Sequence, residues 1–215
     1  MALIFPKSID KYVRLGGAAV AVLALGGLAA FAYFSYPTVI DTGYTPVQPV
    51  PYSHKLHAGT LGMDCRYCHS TVERSGYAAV PATEVCMNCH VRVKPQSPLL
   101  QPVRDSYATG KPIPWVKVHR LADYVYFNHQ AHVTAGVSCV SCHGRVDQMI
   151  EVKQVQPLSM AWCLDCHRNP APHLRPAELV TKLDWQPDRD PVEIGREIIA
   201  AKKISPPEHC SGCHR

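Results

Sequence analysis

The chain has 215 residues, enough for one domain or two small ones. Ten cysteines and 19 prolines against 13 glycines describe a loop-rich chain, and much of its apolar content lies near the N-terminus, so an ordinary aliphatic core is excluded for the remainder. The formal charge of +5 comes without clustered Lys and Arg interleaved with aromatics, which excludes a nucleic-acid partner.

The first predicted element is a membrane anchor over residues 1–36. From Leu15 to Tyr36 no residue is charged, which is about the length that spans a hydrocarbon core as a helix. Its glycines and alanines suit close packing against other membrane helices, and Phe31, Tyr33, Phe34 and Tyr36 gather at one end as an interfacial belt. Lys7, Lys11 and Arg14 precede the run and only Asp41 follows closely, so the positive-inside rule sets the N-terminus in the cytoplasm and the rest outside. Ala30-Phe31-Ala32 resembles a signal-cleavage site, but the apolar run is longer than a typical signal h-region, so retention as a single-pass anchor in the inner membrane is expected. Residues 37–53, with four prolines, read as an extended tether.

Beyond the tether the chain is punctuated by five C-x-x-C-H runs: Cys65–His69, Cys86–His90, Cys139–His143, Cys163–His167 and Cys210–His214. Two thiols three residues apart lie on one side of a helical turn and can each bond a haem vinyl group. The adjacent histidine then offers its imidazole to the iron as proximal ligand. A single C-x-x-C could instead be a redox disulfide or half a zinc site. With 12 histidines in the chain, a chance histidine after one such pair is about a one-in-twenty event, and five in succession are far rarer. The motifs use every cysteine: Cys65, Cys68, Cys86, Cys89, Cys139, Cys142, Cys163, Cys166, Cys210 and Cys213. Five covalent haems c are therefore expected. Their propionates add roughly −5 to −10, for which the basic residues act as partial counter-charge.

Seven histidines remain: His54, His57, His119, His129, His132, His173 and His209. Ser53–His69 (SHKLHAGTLGMDCRYCH) and Asn128–His143 (NHQAHVTAGVSCVSCH) form a repeat in which H-x-x-H precedes a C-x-x-C-H. Histidines at i and i+3 project from one side of a helical turn and can reach two neighbouring irons. For a fifth distal ligand, His119 sits in an apolar segment, His173 in a proline-rich turn, and His209 directly before Cys210, so His119 is preferred; Met63, Met87, Met149 and Met160 are the thioether alternatives. With five irons closed, catalysis is not expected of this chain, and no other catalytic constellation is visible. Val91–Pro114, which has five prolines and no candidate ligand, reads as a partner-docking loop. The clearest soluble helix runs from Asp190 to Lys203, with Asp190 as N-cap, Pro191 first and Glu193 completing a capping box.

The stretches Gly43–Gly59 (GYTPVQPVPYSHKLHAG), Trp115–Val133 (WVKVHRLADYVYFNHQAHV) and Leu158–Pro170 (LSMAWCLDCHRNP) resemble the pentahaem cytochrome subunit of bacterial alternative complex III, a membrane quinol:electron-acceptor oxidoreductase. The resemblance runs from about Gly43 to Arg215 and departs at Ala122, where the family has proline. It implies a relay among an iron–sulfur subunit, quinol-oxidising integral membrane subunits and a small cytochrome or other periplasmic acceptor, in a respiratory or photosynthetic setting. It supports His54, His57, His119, His129 and His132 as distal ligands, beside the proximal His69, His90, His143, His167 and His214, and gives no support to His173 or His209. The expected fold is thus a mostly α-helical and irregular multihaem cytochrome c domain, with a haem-packed core, little strand and one N-terminal transmembrane helix. Its parts are the anchor (1–36), the tether (37–53) and a haem domain (54–215) with modules at 54–90 and 129–167 and a last haem at 210–214. The alternatives from other classes are a tetrahaem-type quinol dehydrogenase relative and a multihaem reductase with one open iron.

Overall fold

The structure, a computed structural model, describes residue 6 and residues 8–215. It divides into two compact units, Met1–Asp41 and Thr42–Arg215. The first unit is dominated by one helix, Ser8–Phe34, whose 27 residues span about 40 Å at 1.5 Å per residue. It buries no residue and is long and apolar enough to cross a bilayer. It begins seven residues before the uncharged run, in a polar turn where Arg14 pairs with Asp10 at 2.8 Å. Lys7 lies outside the described residues.

The stretch expected as a tether divides between the units. Pro37–Asp41 is a short helix. From Gly43 the backbone is hydrogen-bonded into the second unit: Gly43 N donates to Gln154 O (2.7 Å) and Gln154 N to Tyr44 O (3.0 Å). Gln48 clasps both backbone groups of Val116, at 2.8 and 2.9 Å, and Val50 is buried. The prolines here serve a packed extended segment rather than a free spacer.

The second unit is helical and irregular, as the sequence implies; among the described residues the only strand-like pairings are two isolated bridges, Val125 with His214 and Val137 with Leu174. Every C-x-x-C-H run sits on a helix: Cys65–Cys68, Thr83–His90, Cys139–His143, Met160–Arg168 and Cys210–Cys213. Three of these starts are fixed by a side-chain cap, as Asp64 accepts from Arg66 N, Ser138 from Val140 N and Ser159 from Trp162 N. The H-x-x-H segments differ. His129–Ala135 is α-helical, whereas Lys55–Thr60 is a π-helix. The first module has one more residue between its H-x-x-H and its Cys than the second, and a π-turn is how a helix absorbs a single insertion.

Val91–Pro114, expected as a loop, contains a helix at Gln101–Thr109 led by a 3₁₀ turn at Pro98–Leu100. Its prolines read as breakers, but Pro98 and Pro102 occupy first-turn positions, where no backbone N–H is needed. Val103 and Ser106 are buried, and Ser106 Oγ bonds Thr83 Oγ1 (2.7 Å) and donates to Lys111 O (2.6 Å), so the segment braces the second motif helix. The helix Pro191–Lys202 forms as expected, with Asp190 accepting from Val192 N at 2.9 Å. It packs Gly195 onto the Ala171–His173 turn.

Among the described residues only eight hydrophobic side chains are buried, and they are small or medium: Val50, Val103, Val133, Ala171, Leu174, Val180, Leu183 and Ile194. A domain of this size with no buried Phe, Trp or Met does not draw its cohesion from side-chain packing alone.

Candidate haem-binding sites

The imidazoles are oriented by backbone carbonyls. Among the proximal candidates, His69 Nδ1 lies 2.8 Å from Ala79 O, His90 Nδ1 2.9 Å from Val93 O and His167 Nδ1 2.7 Å from Pro207 O. Among the distal candidates, His57 Nδ1 lies 2.9 Å from Ser53 O, His129 Nδ1 3.0 Å from Gly76 O and His132 Nδ1 2.8 Å from Asn128 O. A carbonyl only accepts, so each of these six rings carries a proton on Nδ1 and leaves Nε2 as the nitrogen available to coordinate. That is the tautomer an iron or other metal requires, with the second nitrogen anchored.

The rings also meet in pairs. His57 and His90 have centroids 6.2 Å apart, His132 and His167 6.0 Å, and His129 and His143 6.5 Å with planes 10° apart. Two imidazoles held through Nε2 on opposite sides of one iron, each with a metal–nitrogen bond of about 2 Å, have ring centres roughly 6 Å apart. All three pairs match. In each module the second histidine of H-x-x-H faces the histidine of the following motif, and in the second module the first histidine faces that of its own motif.

His54 neighbours His69. Burial, then the proximity of His69 and of His57, pulls its pKa down to about 4. His143 is pulled to about 3 by burial, then by His119 and His129, and burial likewise lowers His119 and His132. All four are thus neutral at physiological pH, as ligands must be. The Nδ1 atoms of His54 and His214 are buried without a partner. His119 lies with Nε2 3.3 Å from His143 Nδ1 and ring centroids 4.3 Å apart at 82°, too close for the two to face each other across one iron. His173, His209 and Met160 are exposed.

The ten thiols are all unpaired, and no three His, Cys, Asp or Glu side chains among the described residues converge as a zinc site would. The donor set therefore fits haem c: thiol pairs on helical turns, each followed by a histidine, with a second imidazole facing that histidine in three of the five motifs. Neighbouring motifs also sense one another. Burial, then Cys86, raises the Cys68 thiol; burial, then Cys166, pushes Cys142 up to about 12; and burial, then Cys213, raises Cys163. A hydrogen bond with Cys65, then burial, pushes Cys139 up.

Two residues that sequence reasoning missed frame the distal histidines. Tyr52 stands two residues before His54, and Phe127 two before His129. The signal was present: the repeat starts at Tyr52 and Phe127, one residue earlier than the Ser53 and Asn128 alignment.

No protein-family model matches the chain. It is 33% identical over 129 residues to the multihaem cytochrome c subunit of a menaquinone reductase from Nitratidesulfovibrio vulgaris. The match covers 60% of each protein, so the chain spans about that share of its relative's length.

Proposed function

We propose that the chain is a membrane-anchored pentahaem cytochrome c that relays electrons within a quinone-linked oxidoreductase complex and is not catalytic by itself. The observation that carries this reading is the pairing of imidazole rings at 6.0 to 6.5 Å, with Nδ1 of five of those six rings against a backbone carbonyl and that of His143 against the His119 ring nitrogen. Haem irons supply reversible one-electron chemistry. The residues of this chain would hold them by thioethers at the ten cysteines, with His69, His90, His143, His167 and His214 as the proximal imidazoles and the remaining candidate histidines as second ligands. Three distal partners follow the ring pairs, His57 with His90, His129 with His143 and His132 with His167, and His54 is assigned to His69, the imidazole whose charge acts on it most. His119 and His214 remain as the last distal and proximal candidates, with His119 Nε2 lying against His143 Nδ1 rather than facing His214.

We further read the haems as one unbranched series, in the order second, first, third, fourth, fifth motif. Asn88 donates to the Tyr67 hydroxyl at 3.1 Å, joining motifs two and one. The starts of motifs one and three are tied to adjacent residues, Asp64 to Thr181 and Cys139 to Val180. The His129–Ala135 helix offers one imidazole to motif three and one to motif four. His167 Nδ1 bonds Pro207 O, three residues before Cys210, which joins motifs four and five.

The helix Ser8–Phe34 supports a single-pass anchor in the inner membrane, with Lys11 and Arg14 on the cytoplasmic side and the haems outside. The motif resemblance supports alternative complex III, with its iron–sulfur and quinol-oxidising membrane subunits and a periplasmic acceptor. The relative's membership of a menaquinone reductase supports a second reading, in which electrons are delivered to quinone. Intact-mass measurement should give an increase of five haems with no alkylatable thiol, and paramagnetic resonance of the oxidised protein should give low-spin signals alone. Four haems with a free cysteine pair, or a stoichiometric high-spin iron, would overturn the closed pentahaem relay. Reduction by quinol, or oxidation by quinone, in the intact complex separates the two directions.

A further inference from the structure

The aromatic residues ahead of the two H-x-x-H pairs repeat one geometry on two different helix types. Tyr52 stacks on His57 (4.4 Å, 21°) and meets His54 edge-on (4.8 Å, 85°). Phe127 stacks on His132 (4.5 Å, 30°) and meets His129 edge-on (4.8 Å, 87°). The intervening residue repeats too. Ser53 O and Asn128 O accept from Nδ1 of the second histidine at 2.9 and 2.8 Å. Their side chains accept from the backbone N–H of Leu56 (3.2 Å) and Ala131 (3.3 Å). Yet one copy winds as a π-helix and the other as an α-helix. Side-chain geometry that survives a change of helix type is held by the side chains themselves.

A ring stacked flat on an imidazole blocks its rotation, and a carbonyl on Nδ1 fixes which edge faces outward. Together they leave the second histidine one plane and one direction for Nε2. The edge-on contact holds the first histidine nearly at right angles to the same aromatic ring. Resting on the haem reading above, we propose that Tyr52 and Phe127 are positioning residues: each fixes the planes of two distal imidazoles that serve two different irons, and keeps those irons closed to outside ligands.

The tyrosine hydroxyl plays no part in this. The second module makes the same two ring contacts with phenylalanine, which has no hydroxyl. Tyr52→Phe is therefore the conservative rescue and Tyr52→Leu the disruptive change.

The test uses the full-length holoprotein in detergent, with haem counted chemically in every sample. In Tyr52→Leu, the low-spin resonances of the irons served by His54 and His57 should move, and carbon monoxide should bind the reduced protein at one haem per chain or more, where wild type binds at least tenfold less. Tyr52→Phe should match wild type in both. Phe127→Leu should move a different pair of resonances, and remains a full test should Tyr52→Leu fail to load haem. Fully loaded Leu variants with unmoved resonances and no carbon monoxide binding overturn the inference while leaving the haem reading intact, as does a Tyr52→Phe as perturbed as Tyr52→Leu. A wild-type chain without covalent haem overturns the reading beneath it.

Discussion

Thr181 Oγ1 donates to Asp64 Oδ2 at 2.9 Å across 117 residues of sequence. Asp64 caps the first motif helix through Arg66 N and pairs with the Arg66 guanidinium. Val180, beside Thr181, accepts from Cys139 N and from Ser138 Oγ at the start of the third motif helix. Two neighbouring residues thus hold two haem-attachment turns side by side.

Loss of that tie is the first prediction. Asp64→Ala removes a cap and the bond to Thr181 and should cost about 1–2 kcal/mol, discounted for an exposed ion pair. Hydrogen bonding to Arg66 holds the Asp64 carboxyl down at about 2. A depressed carboxylate contributes stability above its unfolded value of about 4 and loses it as the pH falls towards 2. Thermal unfolding should therefore show the variant below wild type at pH 6 and the gap narrowing on acidification through that window. A gap independent of pH contradicts the assignment.

Gly195 gives a second. Alanine is the better helix former by about 1 kcal/mol. A Cβ there would lie 1.9 Å from Ala171 O, however, in a backbone that cannot swing aside. Overpacking of that kind costs typically 1–3 kcal/mol or more, so the collision wins. Gly195→Ala should lower the midpoint by several degrees; an unchanged or raised midpoint would mean the close approach is not kept in solution.

The third concerns ligation. His57→Ala should open the iron at Cys86–His90 and produce a high-spin signal with all five haems retained. His173→Ala, at an exposed residue in a proline-rich turn, should leave the spectrum untouched. Equal spectra for the two variants would remove His57 from the ligand set.

The helical, strand-poor character of the chain was legible because C-x-x-C-H only works on a helical turn, and Asp190-Pro191 announces its helix by local chemistry alone. Gln101–Thr109 was not legible, since Pro98 and Pro102 are breakers anywhere but in a first turn. Nor was the packing of Gly43–Tyr52, which depends on Gln154 and Val116, far away in sequence. The candidate ligands could be named by spacing, but which ring faces which is non-local. The pairing of His57 with His90 depends on the intervening chain folding back. Tyr52 and Phe127 read as ordinary apolar residues until their rings are seen against the imidazoles.

The last prediction concerns the end of the series. Residues 124–126 clasp the fifth motif: Val125 bridges His214, Tyr126 N donates to Cys213 O (2.7 Å), Arg215 N donates to Tyr124 O (3.2 Å), and the Arg215 guanidinium lies 4.0 Å over the Tyr126 ring. Arg215 is engaged with Tyr126 in this way, and Lys202 on the preceding helix donates to Thr134 O. Cys210 remains exposed, so one side of this motif's turn is open to solvent. A haem at one end of an unbranched series and near the surface is suited to exchange electrons with a partner subunit or a small acceptor. His214→Ala should spare the other four haems and slow quinone-linked turnover of the assembled complex more than about tenfold, that is, by over 1.36 kcal/mol of barrier. Turnover near wild type, with the fifth haem verifiably lost and the complex intact, would move the port to the opposite end of the series, at Cys86–His90.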